Sequence, residues 1–132
     1  MRPARRAATI DPVEAAIKLN HLELRRYLDR VGDRWPIEAA LLGGARVADL
    51  RGAPPQRERG PEYVVVLVSE HFDGIPWLER VYLASSLWDA YEMGARAEVH
   101  CYTPAEFERR VDQLSVVRSA AARGLDLVPQ TA

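Results

Sequence analysis

Two of the three histidines and the single cysteine are the side chains of this 132-residue chain that most directly suggest metal or nucleophilic chemistry. His71, His100 and Cys101 are all of the types that bind zinc. His100 and Cys101 are adjacent, however, and neighbouring side chains of a strand point to opposite faces, so they are poorly placed to share one ion. The sequence shows no base that would lower the pKa of the Cys101 thiol. We therefore expect structural roles for all three.

The charge balance argues against a general affinity for polyanions. Lysine and arginine total 18 against 19 for aspartate and glutamate, so nucleic-acid binding would need a local patch. Arg2, Arg5 and Arg6, together with the arginines of segment 45–61, leave that option open; we expect no nucleic acid as partner. The single cysteine forms no internal disulfide, and no apolar run reaches the ~20 residues of a membrane span. We expect a cytoplasmic protein that does not bind membranes.

Candidate functional groups need a scaffold, and the residue pattern predicts a small α/β (α+β) fold, a mixed β-sheet flanked by helices. Helix signals begin at Asp11-Pro12 and end near Gly32, and Tyr63–Val68 has the unbroken apolar character of a central strand. We expect a basic tail at 1–10, one domain at 11–128 and a tail at 129–132. The other predicted elements are a strand at 37–42, an exposed loop at 45–61, a long helix at 75–93 capped by Gly94, a strand at 98–102, helices at 104–113 and 115–123, and an edge strand at 125–128.

Three stretches of the sequence resemble the minimal nucleotidyltransferases, small bacterial members of the DNA polymerase β-like superfamily. They are LLGGAR at 41–46, VVLVSEHFDGIPWLER at 65–80, and CYTPAEFER at 101–109 with its continuation to Gly124. The Tyr-Thr-Pro-x-Glu-Phe sequence directly after a strand is the most distinctive of them. The resemblance implies the nucleotidyltransferase fold.

The resemblance also implies positions for an active site. The family's first strand ends in Gly-Ser, which holds the triphosphate, and here the pair is Gly43-Gly44, a phosphate turn without the hydroxyl. The family's next strand carries Asp-x-Asp, which binds two Mg²⁺ ions. Anchored on Val65, these aspartates correspond to Glu62 and Val64, and valine cannot bind a metal. Glu98 corresponds to the third carboxylate, so Glu62 and Glu98 are the candidate catalytic and metal-binding residues.

These departures favour a degenerate nucleotidyltransferase that has lost metal-dependent transfer, needs no cofactor, and acts as a binding or regulatory, antitoxin-like protein. The alternative is an active enzyme that uses Glu62, Glu98 and Mg²⁺ to transfer a nucleoside monophosphate from a nucleoside triphosphate to a protein or small-molecule hydroxyl. The family suggests a small helical protein as partner. Aromatic residues around the 75–93 helix suggest a second surface for such a partner or for a homodimer. They are Trp77, Tyr82, Trp88 and Tyr91.

Overall fold

The computed structural model describes residues 19–52 and 59–127. These residues form six α-helices, one 3₁₀ turn and four strands. In chain order they are α1 His21–Arg34, β1 Ala39–Gly43, α2 Ala45–Leu50, β2 Tyr63–Val68, the 3₁₀ turn Glu70–Phe72, α3 Trp77–Ser86, α4 Ala90–Met93, β3 Ala97–Tyr102, α5 Pro104–Arg110, α6 Ser115–Arg123 and β4 Leu125–Asp126. The predicted tails and the helix start at Asp11-Pro12 lie outside this range.

The four strands form one mixed sheet in the order β3-β2-β1-β4. Strand β1 pairs antiparallel with β2 and with β4, whereas β2 and β3 run parallel. Both the mixed sheet and the flanking helices agree with the predicted fold class. All six residues of β2 are buried, because this strand has a neighbour on each edge and helices over each face.

Alternation along the strands separates two apolar layers. On one face of β2, the side chains of Tyr63, Val65 and Leu67 lie in the larger core, to which α1, α3 and α4 also contribute. The other face turns its remaining three valines into a smaller core shared with α5 and α6. The smaller core contains Val64, Val66, Val68, Tyr102, Val117 and Ala120. The C-terminal helices therefore cover the face of the sheet that carries position 64.

Three predicted elements differ from the structure. The helix predicted from Asp11 to near Gly32 is not continuous, because the Asn20 side chain accepts a hydrogen bond from the Glu23 amide and caps a helix that begins at His21. Segment 45–61 was expected to be a loop, but its first six residues form α2, because Val47 is buried and anchors a local helix ahead of Gly52. The long 75–93 helix is in fact two helices. The break comes at Leu87–Asp89, where the Asp89 side chain accepts a hydrogen bond from the Glu92 amide and starts α4.

Local capping signals were more reliable. Gly94 ends α4 with φ 87°, the left-handed conformation that was predicted. Thr103 and Glu106 form a reciprocal capping box at the start of α5, with Pro104 in its first turn. Helix α6 has the predicted bounds Ser115–Arg123.

Candidate functional site

The Gly43-Gly44 turn ends β1, as predicted, and leads into α2, which was not predicted. The backbone amides that follow the turn already have acceptors. The Ala45 amide donates to the Pro61 carbonyl at 2.9 Å and the Arg46 amide donates to the Glu62 carbonyl at 3.1 Å. A phosphate cradle needs such backbone donors to point at the ligand. Here the backbone of residues 61 and 62 takes them.

Neither glycine of this turn has room for a side chain. A Cβ on Gly43 would stand 2.9 Å from the Cβ of Ala120, so α6 packs directly on the turn. A Cβ on Gly44 would stand 2.6 Å from the Glu62 carbonyl oxygen and 2.7 Å from the Tyr63 Cα. Gly44 also has φ 103° and ψ 179°, a combination that is essentially confined to glycine. The serine hydroxyl of the resembling family therefore has no place here.

Glu62 lies just before β2, and two arginines surround its carboxylate. Arg59 Nε donates to Oε2 at 2.6 Å, and Arg46 Nε donates to Oε1 at 3.0 Å. Arg59 also bonds Asp49 at 2.8 Å, and the Arg46 guanidinium lies over the Tyr63 ring. The hydrogen bonds from Arg59 and then from Arg46 lower the pKa of the Glu62 carboxyl to about 2. Glu62 is thus ionised and paired.

Position 64 is inside the protein. Val64 is 1% exposed and belongs to the smaller core with Val117 and Ala120 of α6. In the antiparallel register it stands opposite Gly43. A carboxylate at position 64 would therefore enter an apolar layer and not an open cleft, which is costly for a charged group.

Glu98 is on the edge strand β3, directly beside Val64 in the parallel register. Its Oε2 lies 2.7 Å from Nε2 of His100, two residues along the same face. Half of the Glu98 side chain is exposed, whereas His100 is buried. Glu62 and Glu98 therefore have separate sets of partners, two arginines for one and a histidine for the other.

The other predicted candidates divide as the strand alternation requires. His100 stacks beside Tyr102 on the smaller-core face, and Cys101 is buried in the larger core. Burial raises the pKa of the Cys101 thiol to about 12, which suits a core residue. His71 is exposed in the 3₁₀ turn. Within residues 19–52 and 59–127, no group of three or more histidine, cysteine or acidic side chains is placed to hold a metal ion.

Sequence reasoning missed the arginines that organise this region and an inner ion pair beside it. Arg80 is 5% exposed, and its Nη1 donates to Glu106 Oε1 at 2.6 Å and to the Cys101 carbonyl at 3.3 Å. Glu106 closes the capping box of α5 through a neighbour three residues away, whereas its ion pair depends on a residue 26 positions away. Pairings of this kind leave no local signal in the sequence.

The aromatic residues of the 75–93 segment have two different environments. Trp88 is packed against Tyr27 and Tyr63 with ring centroids 5.1 and 5.3 Å apart, and its Nε1 donates to the Ala95 carbonyl. Tyr82 is 72% exposed and Tyr91 is 90% exposed. The expectation that one side of this segment packs while the other faces outward agrees with these positions.

A separate groove of about 620 Å³ lies between α1 and β4. Apolar side chains of α1 and β4 line it, together with charged groups that include Arg25 and Asp29. None of the residues of the Gly43-Gly44 turn or of the Glu62 cluster contributes to it. No helix in the described part of the chain is long and apolar enough to cross a membrane.

Comparison with known proteins gives one structural likeness. No protein-family model and no curated protein sequence matches the chain. The fold is similar to the crystal structure of a "putative nucleotidyltransferase" from Sulfolobus solfataricus, with a TM-score of 0.49 and 13% sequence identity. The match covers 80% of this chain and 82% of that one. A likeness at this level assigns neither activity nor substrate.

Proposed function

We propose that this protein is a degenerate nucleotidyltransferase that has lost metal-dependent nucleotidyl transfer and acts by binding a protein partner. The three stretches that resemble the family support the relationship by their positions. LLGGAR spans the β1-α2 turn, the second stretch runs from β2 to α3, and the third begins on β3 and continues into α5. The observation that best supports lost activity is that two arginines already bind the carboxylate of Glu62.

Magnesium requires free carboxylate oxygens in near-octahedral geometry at short distance. Both oxygens of Glu62 accept hydrogen bonds from guanidinium groups, and the two positive charges beside them oppose a divalent cation. Binding Mg²⁺ at Glu62 would first require Arg46 and Arg59 to leave. This arrangement supports the proposal that Glu62 is a structural anion.

A second carboxylate for a two-metal centre is missing whichever neighbour is chosen. If Glu62 is the first acid of the pair, the second falls on Val64, buried in the smaller core. If Glu62 is instead the second acid, the first falls on Gly60, which carries no side chain. Glu98 supplies one further acid, and its carboxylate is bonded to His100. One metal ligand on each of two strands is a weak basis for the two-metal chemistry of phosphoryl transfer.

A binding role explains the exposed apolar side chains of α3, for which nucleotidyl transfer gives no reason. Helix α3 exposes large apolar side chains that the core does not use, which favours contact with another protein or a second copy of this chain. In this proposal the protein works as a regulatory, antitoxin-like component in the cytoplasm, where its single cysteine stays reduced.

The test is a transfer assay with each of the four α-³²P-labelled nucleoside triphosphates and Mg²⁺, with the purified protein and a bacterial lysate as acceptors. We expect no label on any acceptor and no magnesium-dependent binding of ATP by isothermal titration calorimetry. Label that appears with the wild type, disappears in Glu62→Ala and Glu98→Ala, and persists in the exposed control Glu108→Ala would overturn the proposal. That result would establish the active alternative, with Glu62 and Glu98 as catalytic residues.

A further inference from the structure

Helix α3 turns a stripe of large apolar side chains to solvent. Leu78 is 73% exposed and Tyr82 is 72% exposed, and they lie four residues apart on one side of the helix. Trp77 adds a side chain that is 42% exposed at the start of the helix. These three residues are called the α3 surface below. The opposite side of the helix, which carries Arg80 and Ala84, is buried.

The α3 surface contributes nothing to the two cores. None of its three side chains is among the buried or partly buried members of either apolar cluster. Exposed leucine and aromatic side chains in one stripe of a helix cost solvation free energy unless another molecule covers them. Aromatic and leucine side chains spaced at one helical turn are the usual anchors of helix recognition.

The sequence segment that contains the α3 surface is acidic. Residues 70–92 carry five acidic side chains, none of them in an ion pair within the described residues: Glu70, Asp73, Glu79, Asp89 and Glu92. Arg80, the arginine of this segment, is turned inward and paired with Glu106. The rest of the chain has 17 of the 18 basic and 14 of the 19 acidic side chains. Negative charge is therefore concentrated in the chain segment that contains the apolar stripe, and Glu79 lies on the helix itself.

This charge favours a basic partner over a second copy of the chain. Two copies paired through α3 would bring Glu79 close to the same residue of the other copy, and like charges oppose association. The α3 surface has the features of a helix-helix contact, with apolar side chains at its centre and a charged side chain at its edge.

We propose that the α3 surface binds a basic amphipathic helix of another protein, whose apolar face covers Leu78 and Tyr82 and whose lysines or arginines meet Glu79. The inference names the partner class for the binding role proposed above and rests on it. Binding of this kind depends on salt, because part of the attraction is between exposed charges.

The probe is a fluorescently labelled 18-residue helical peptide with leucine on one face and lysine on the other, together with a peptide in which glutamate replaces lysine. Fluorescence anisotropy measures binding by the full-length protein. We expect the lysine peptide to bind, and the glutamate peptide to bind at least ~10-fold more weakly. The Leu78→Ser/Tyr82→Ser double variant should lose at least ~10-fold in affinity for the lysine peptide. Glu79→Lys should lose about threefold at low salt, the effect expected for a charged residue at the edge of an interface.

Tyr91→Ser is the matched control, because Tyr91 is at least as exposed but lies on α4; we expect it to change the affinity less than twofold. Near-UV circular dichroism checks that each variant is folded. Equal binding of both peptides, an unaffected double variant, or no binding at 1 mM peptide would overturn the inference. So would a homodimer in sedimentation equilibrium that the double variant abolishes. The transfer assay on the same preparations separates the two proposals, since label transfer contradicts lost activity whatever the peptides do.

Discussion

A methyl group on Gly44 would stand 2.6 Å from the carbonyl oxygen of Glu62. The same two segments are also joined by the Arg46 amide, which donates to that carbonyl at 3.1 Å. The turn after β1 is therefore locked to the chain that leads into β2. This packing fixes the residue at position 44 more strictly than phosphate binding would.

Gly44→Ala is expected to lower the free energy of unfolding by about 3 kcal/mol or more, because strain at φ 103° adds to the steric clash. Gly74→Ala is the matched control, since Gly74 has φ 81° but open space around a Cβ. It should cost about 1 to 2 kcal/mol. Urea unfolding of both variants measures the difference, and equal losses would show that the clash at Gly44 relaxes freely.

Arg80 and Glu106 join α3 to α5, and removing the arginine takes a donor away from each of three acceptors. They are the Ile75 and Cys101 carbonyls and the Glu106 carboxylate. Arg80→Ala should cost about 3 kcal/mol, at the lower end for a buried pair because Glu106 keeps partial access to water. Thermal and urea unfolding test this value. Glu108→Gln, on the same helix as Glu106, should change the free energy of unfolding by less than about 0.5 kcal/mol. A loss as large as that of Arg80→Ala would show that the Arg80–Glu106 pair has no special role in stability.

Acid should weaken the protein through Glu62 in a defined pH window. The folded pKa of about 2 lies below the ordinary value of 4.5, so this carboxylate stabilises the fold above pH 4.5. The contribution is lost as the pH falls through 4.5 toward 2. Comparing urea unfolding at pH 7 and pH 3, Glu62→Gln should lose less stability than the wild type over this interval. A parallel loss in both proteins would mean that Arg46 and Arg59 do not stabilise the fold through Glu62.

Cys101 should be unreactive in the folded protein. Its side chain is fully buried and burial raises the thiol pKa to about 12, so almost no thiolate is present at pH 8. Ellman's reagent should label the native protein at the rate of unfolding and label it at once in 6 M guanidinium chloride. A rapid reaction without denaturant, at a rate that does not follow stability, would indicate an accessible thiol.

The sequence predicts those parts of the fold that depend on neighbours along the chain. Three such parts are each determined by a few consecutive residues, and all three are present in the structure. They are the apolar strand Tyr63–Val68, the Gly94 cap and the Thr103–Glu106 capping box. Helix α2 was missed because the prolines and glycines of segment 45–61 indicate a loop. The six helical residues at the start of the segment are stabilised by the burial of Val47, which the sequence does not show.

The candidate site was less predictable because its character comes from tertiary contacts. The resemblance identified Glu62 and position 64, but neither the arginines that hold Glu62 nor the helix that covers Val64 is adjacent to them in sequence. Arg46 is 16 residues from Glu62, and Ala120 is 77 residues from Gly43. Whether a carboxylate is a metal ligand or an ion-pair partner is decided by such distant neighbours.

Strand β2 has a further consequence for how the chain reaches its native state. During synthesis its six apolar residues leave the ribosome before β3, which begins 29 residues after the end of β2, has been made. Until then one backbone edge of a strongly β-forming hexapeptide has no native neighbour, the condition under which such segments associate with one another. Refolding yield should therefore fall steeply with protein concentration, and holdase chaperones that cover Tyr63–Val68 should restore it.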